Sequence, residues 1–174
     1  MSSHAAIVAV VVALVIQRAL ELRLARRNQR RAQARGAREF GARHYPAFFL
    51  LHGAWLLAWP LEGWSRGTFA WPWLVPLLSA QLLRYWAIAS LGERWNTRVL
   101  VVPGDAPLRR GPYRMLSHPN YVAVVIELAA VPLVFGAHVT AVVASIANLV
   151  LLLGVRIPCE VAALRWASDA DQSR

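Results

Sequence analysis

Lysine is missing from this chain altogether: all 19 basic residues are arginine, a coding bias that carries no mechanistic weight here. Cysteine is nearly missing too. The single Cys159 excludes an intramolecular disulfide framework and any cysteine-cluster metal site. Histidines 4, 44, 52, 118 and 138 are scattered, with no HxxxH or HExxH pair, so no metal site is expected. Acids are scarce, nine against 19 arginines, which leaves a net charge of +10. No nucleic-acid motif accompanies that charge. It lies between apolar blocks, where it reads as a topology signal and as attraction to anionic lipid headgroups. Nucleic acid is not expected as a partner.

Hydrophobicity is what the chain has in quantity: 57% of residues, with a mean hydropathy of +0.42, concentrated in blocks. Blocks of this kind mark an integral membrane protein. The runs are 5–20, about 46–61, about 68–91, about 121–136 and about 138–155. A signal peptide is the competing reading of the first run. No basic residue precedes it, however, and no clear A-x-A site follows. After it comes an arginine-rich stretch, Arg23 to Arg43, expected to be partly helical along the interface. "EGWSRG" at 62–67 reads as a polar turn with tryptophans at the membrane boundary. The connections 21–45 and 92–120 are rich in arginine, whereas 62–67 has one and 136–138 none. The positive-inside rule then puts the N-terminus outside, and loop 92–120 and the segment from Arg156 onward on the cytoplasmic side.

Several polar residues stand where a bilayer makes them costly: Gln81, Arg84, Glu127 and Asn148. Arg84 and Glu127 are a candidate ion pair, either joining helices or lining a substrate cavity. His52 reads as a hydrogen-bonded packing residue, and Gln17 and Arg18 as side chains able to snorkel to the interface. In "RIPCEVAAL", Arg156 and Glu160 are four apart, so one helical face presents both. An ordinary surface ion pair is the plainer account of that spacing.

The most informative stretch is "GPYRMLSHPNY", 111–121. Pro112 and Pro119 forbid an uninterrupted helix directly before an apolar run, and such a break frees backbone groups to meet a polar ligand beside lipid. This segment resembles the G-x-Y-x-x-x-R-H-P-x-Y motif of the isoprenylcysteine carboxyl methyltransferase family. "RIPCEVAAL" resembles that family's R-I-x-x-E-E-x-x-L segment, and "LGERWNTRVLVV", 91–102, is similar to its upstream loop. The likeness spans roughly 80–165, with the motifs in the right order.

The resemblance implies an all-α integral membrane enzyme. It would have about five transmembrane helices and a cytoplasmic cofactor pocket between the loop before the fourth and the helix after the fifth. Residues 1–66 would form two membrane helices and the basic segment, and 67–174 the methyltransferase core, as a single structural unit. The implied cofactor is S-adenosyl-L-methionine, contacted by Tyr113, His118, Pro119, Tyr121, Glu160 and Trp95. Arg156 and Glu160 would be catalytic; Arg84 and Glu127, singled out by their cost in a bilayer and not by the resemblance, are the residues expected in the cavity of a lipophilic acceptor. Ser117 and Val161 depart from the motif, standing where the family has Arg and a second Glu; Arg114 is a candidate to replace the lost charge. The short tail after Leu164 lacks the aromatic extension of eukaryotic prenylcysteine enzymes, which points away from a prenylated protein. The stretch "HPNYVAVVIELAAVPL" looks closer to the bacterial branch, whose members include phenolic-lipid and alkylpyrone O-methyltransferases, so a bacterial inner membrane is the expected location. Transfer to the amine of a phospholipid, a membrane reductase, and a non-catalytic lipid-binding scaffold are the alternatives the sequence leaves open.

Overall fold

The computed structural model describes residues 2–105 and 108–172. Six α-helices carry the described residues: α1 (Ser3–Ala34), α2 (Tyr45–Arg66), α3 (Leu74–Leu91), α4 (Pro119–Val134), α5 (His138–Leu151) and α6 (Ile157–Gln172). The protein is an all-α membrane protein. Ser3–Ala34, Trp71–Arg94 and His138–Ala167 are long and apolar enough to cross a bilayer, and α4 is apolar but shorter. Large apolar side chains such as Ile16, Leu57, Leu82, Val139 and Val150 face outward. That surface suits lipid rather than water.

The first apolar run and the first part of the arginine-rich stretch, through Arg31, form one unbroken helix of 32 residues that ends at Ala34, before Arg35, Arg38 and Arg43. The "EGWSRG" segment is not a turn: α2 runs through it to Arg66. Termination comes one residue later, at Gly67, whose positive φ of 62° suits glycine and whose N–H bonds the Gly63 carbonyl. The third run starts later than expected. Residues 71–73 make a short 3₁₀ turn through Pro72, and α3 begins at Leu74.

The core gathers Ile7 and Leu14 of α1, Trp55 and Trp59 of α2, and Leu128, Val131 and Val134 of α4 with Phe135. Trp59 stacks on Phe135 at 5.1 Å, and the Trp55 indole N–H bonds the Leu128 carbonyl at 3.0 Å. Aromatic and aliphatic side chains interlock in this seam, and close packing with interhelical hydrogen bonds is what holds helices together in lipid. At the far end of α2, Glu62 acts as a cap for α5. Its carboxylate accepts the Val139 and Thr140 N–H groups and the Thr140 hydroxyl at 3.0, 2.9 and 2.8 Å. A carboxylate at a helix N-terminus satisfies orphan donors and the dipole together.

Glu62 lies beyond the apolar run of α2. Burial pushes its pKa up, but the bonds from Thr140 and Val139 outweigh that and hold it below the usual carboxylate value. A depressed folded-state pKa means the cap's contribution is complete above pH 4.5 and disappears as the pH falls through the folded value. Glu62→Gln is expected to cost roughly 0.5–1 kcal/mol at neutral pH, at the modest end because water screens the group. The gap between variant and wild type should close under acid, as read by thermal unfolding in detergent. A gap that persists at low pH would contradict the cap.

Two features lie outside the expected all-helical plan. Strands β1 (Arg38–Phe40) and β2 (Val99–Val101) pair antiparallel, Glu39 opposite Leu100. This ribbon packs on α6 through Val99, Val101, Ala163 and Ala167, with Phe40 and Trp166 alongside. The second is a π-helical turn, Leu152–Arg156, which joins α5 to α6 as one rod. Pro158 explains its place. Proline lacks an N–H and its ring crowds the carbonyl four residues back, so the backbone widens there instead of breaking. The segment from Arg156 to Ala167 therefore continues a helix long and apolar enough to cross a bilayer.

Candidate active site

The loop between α3 and α4 is shaped by a few strict requirements. Gly111 has a φ of +56°, and a Cβ there would lie 2.0 Å from the Ser90 hydroxyl. Only glycine fits that approach. Residues 111–114 then form a 3₁₀ turn with Pro112 buried. Pro119 sits at the first position of α4, where its missing N–H is no loss. The Tyr121 and Val122 N–H groups both bond the His118 carbonyl, which fixes the histidine at the helix entrance. Upstream, Asn28 of α1 is buried and its amide donates to the Gly92 and Trp95 carbonyls at 3.1 and 2.8 Å. Asn96 returns a bond to the Ala25 carbonyl at 3.1 Å. The basic arm of α1 thereby anchors the loop that carries Trp95.

Tyr121 is the hub. Its hydroxyl donates to Glu160 Oε2 at 2.5 Å and accepts from Arg156 Nε at 2.9 Å. Arg156 and Glu160 are thus held through a phenol from another helix, rather than as a simple pair on one surface. The His118 and Tyr121 rings stack at 5.1 Å, and His118 Nδ1 lies 3.8 Å from Glu160 Oε2. The segment around His118 and the helix bearing Glu160 meet on one side of the molecule. Tyr113, in the loop, has its pKa pushed up to about 12 by burial and by the Glu160 charge. It stays protonated at neutral pH and is a hydrogen-bond donor there.

These groups open into a cavity of about 880 Å³, within the range of small-molecule sites. Tyr113, His118, Tyr121, Arg156, Glu160, Trp95 and Arg84 all stand on its wall, whereas Pro119 and Glu127 do not. Pro119 is fully buried in the packing at the start of α4. Ser117 and Val161, the two departures from the motif, also border the cavity. Arg114 is exposed and off its wall, so it does not replace the lost charge there. Arg31, Arg35, Arg94 and Arg98 do line it, from the α1 arm and the ribbon loop. Arg94 and Arg98 fall within the upstream loop at 91–102, but nothing in the motifs signals Arg31 and Arg35, whose place depends on how the α1 arm lies over the loop.

Deeper in the bundle, Glu127 is one of the largest fully buried side chains. It receives Arg84, Arg18 at 2.5 Å and Gln81 at 3.1 Å. Arg18 also meets Glu21 at 2.6 Å, and Gln17 bonds both Glu21 and Gln81. Arg18 and Gln17 therefore turn inward instead of snorkelling. The Arg84–Glu127 pairing expected from sequence is present, but as part of a network of two arginines, two glutamates and two glutamines. Its pairing logic is that a charge in the bilayer interior must be matched. Arg18, Glu21 and Arg84 border the cavity as well.

The helical membrane bundle thus holds an open cavity lined by apolar and aromatic side chains, with Arg156, Glu160 and Tyr121 together on its wall. The comparisons make this specific. The model of the isoprenylcysteine carboxyl methyltransferase (ICMT) family matches residues 73–166, more than half the chain. The chain belongs to that family and is a membrane methyltransferase. It is also 43% identical over 136 residues to "Uncharacterized protein YpbQ" of Bacillus subtilis (strain 168), covering 75% of this chain and 80% of that one. No solved structure matches it.

Proposed function

We propose that the protein transfers a methyl group from S-adenosyl-L-methionine to an oxygen of a lipophilic acceptor within the membrane. The observation that carries this reading is the Tyr121 hydroxyl joining Arg156 to Glu160 at the mouth of a chamber that continues between the helices. The wall suits the donor chemically. It offers a carboxylate, aromatic faces and, from Trp95 Nε1 and Asn120 Oδ1, polar atoms with no partner in the protein. Buried polar atoms of that kind are stable only when something else completes them.

When bound, S-adenosyl-L-methionine supplies an electrophilic methyl on a sulfonium. The protein's own residues do the rest. Glu160 accepts hydrogen bonds from ribose hydroxyls or an ammonium, using the lone pairs that Tyr121 leaves free. The aromatic faces of Tyr113 and Tyr121 favour a cationic, planar ligand. Tyr121 holds Arg156 and Glu160 at fixed separation, and Arg156 favours the ionised form of an acceptor oxygen. Positioning is the chief catalytic requirement for such a displacement.

The acceptor reaches this chamber from the bilayer. Phe49 lines the cavity yet is 63% exposed, and at Gly53 beside it a Cβ would meet nothing within 4 Å. With the arginine-rich connections inside, the donor end faces the cytoplasm of a bacterial inner membrane.

Calorimetry of detergent-purified protein with S-adenosyl-L-methionine, paired with labelled-methyl transfer into membrane lipid extracts, tests the reading. Wild type is expected to bind and to label a lipid. Glu160→Gln is expected to bind about tenfold more weakly, the scale of one charge-assisted hydrogen bond. Absence of both binding and labelling would leave a lipid-binding scaffold as the better account.

A further inference from the structure

Asn148 of α5 is 1% exposed and borders the cavity, yet neither its amide nitrogen nor its oxygen has a hydrogen-bond partner in the protein. An amide left bare on both sides inside a membrane bundle is costly, so it is retained for something outside the fold. His52 borders the same cavity from α2. Its Nδ1 lies 2.8 Å from the Phe48 carbonyl, which only accepts. That contact assigns the proton to Nδ1 and leaves Nε2 of the neutral ring as a lone-pair acceptor. Arg84, also on the wall, keeps its Nε unpaired although its terminal nitrogens bind Glu127 and Glu21. The uncommitted atoms on this part of the wall are thus two donors, Asn148 Nδ2 and Arg84 Nε, and two acceptors, Asn148 Oδ1 and His52 Nε2.

Placement sets these atoms apart from the donor end. Asn148 precedes Arg156 by eight residues on the same rod, about 12 Å at helical rise, so it lies deeper between the helices. One turn from it, Ala144 packs in the core cluster that contains Trp55, and His52 stands one turn before Trp55 on α2.

We propose that Asn148 and His52 form a subsite that selects the acceptor, by binding a neutral group that both donates and accepts hydrogen bonds, of the hydroxyl class and separate from the oxygen that Arg156 meets about 12 Å along the rod. This rests on reading the cavity as the acceptor's chamber. The charges favour the assignment. The neighbouring Arg18, Arg84, Glu21 and Glu127 cancel, so no net positive charge is left to receive an anion. A carboxylate, which only accepts, would face the lone pairs of Asn148 Oδ1 and His52 Nε2 and would carry the cost of burying a charge.

The test measures binding without methyl donor, so its outcome is independent of whether transfer occurs. The full chain in nanodiscs is titrated with three probes of equal chain length: para-dodecylphenol, dodecylbenzene and para-dodecylbenzoate. Wild type is expected to bind the phenol about tenfold more tightly than either of the others, the scale of one or two buried hydrogen bonds. Asn148→Leu and His52→Phe are each expected to bring phenol and dodecylbenzene within about twofold. Because Asn148 makes no bond in the fold, Asn148→Leu should also melt at the same temperature as wild type or higher. The proposal is overturned if wild type does not prefer the phenol. It is equally overturned if Asn148→Leu or His52→Phe keeps the preference, or if Asn148→Leu melts at a lower temperature than wild type.

Discussion

Arg156→Ala is expected to slow methyl transfer by about two to three orders of magnitude, the loss seen when one preorganised electrostatic group is removed from an active site. Affinity for the methyl donor should change only a few fold, because Glu160 and the aromatic wall remain. The reason lies in the geometry: Arg156 reaches the chamber with Nε fixed on the Tyr121 hydroxyl, leaving the rest of the guanidinium free to meet an anion. Arg156→Lys keeps the charge and should recover little. An ammonium does not reproduce a guanidinium that bonds the phenol through Nε while presenting its remaining N–H donors elsewhere. Tyr121→Phe provides the complementary measurement. It removes the hydroxyl that joins Arg156 to Glu160, so both transfer and donor affinity should fall together. Steady-state kinetics with labelled donor separate these patterns. Equal loss of donor affinity and rate in Arg156→Ala would assign Arg156 to cofactor holding and remove it from the reaction.

The largest stability effect is expected at Glu127. Its carboxylate is the meeting point of Arg84, Arg18 and Gln81, drawn from α3 and α1 onto α4. Glu127→Ala leaves two arginines in the bundle interior with Glu21 as their one remaining shared carboxylate, so one positive charge is unmatched. A buried pair broken from one side typically costs about 3–5 kcal/mol. The variant should unfold at a markedly lower temperature, and much of it should be lost during extraction. Glu127→Gln keeps the acceptor oxygen and should fall between. The paired change Arg84→Leu with Glu127→Leu should regain part of the loss, since removing both charges avoids an uncompensated one. Thermal unfolding of the four proteins in one detergent decides the matter. Equal stability of Glu127→Ala and wild type would mean that the network contributes nothing net.

Much of this molecule is legible in its residues, and the gaps have physical causes. The apolar blocks mark the helices because a bilayer admits little else, and glycine or proline sets several boundaries. "EGWSRG" misleads because tryptophan, arginine and glycine suit a membrane interface whether the backbone there is turned or helical. The residue that ends α2 is Gly67 alone. Arg84 and Glu127 are recognisable as partners because unpaired charge is untenable at that depth. Arg18 is not, because a long side chain near a helix end has two outlets and only the neighbouring helices decide between them. The ribbon of β1 and β2 escapes notice since strands of three residues carry no usable periodicity. At the site, spacing identifies Arg156 and Glu160 as sharing a face, while the phenol between them arrives from a segment 35 residues away. Asn28, buried and holding the Trp95 loop, sits in a run of arginines whose composition hides it. Glu127 sits behind the chamber instead of on it, because its pairing with arginines draws it into the helix seam.

The widened π turn between α5 and α6 makes the spacing of the two ends of that rod discrete. Each residue of helix turns the axis by roughly 100°, so adding or removing one between Leu152 and Arg156 would swing Glu160 away from Tyr121 by about a quarter of a circle. Substitution can tune this chamber by small steps, but length changes there cannot. Among homologues, the interval from Asn148 to Glu160 should therefore behave like the fixed gauge of a tool, held constant while the side chains around it vary.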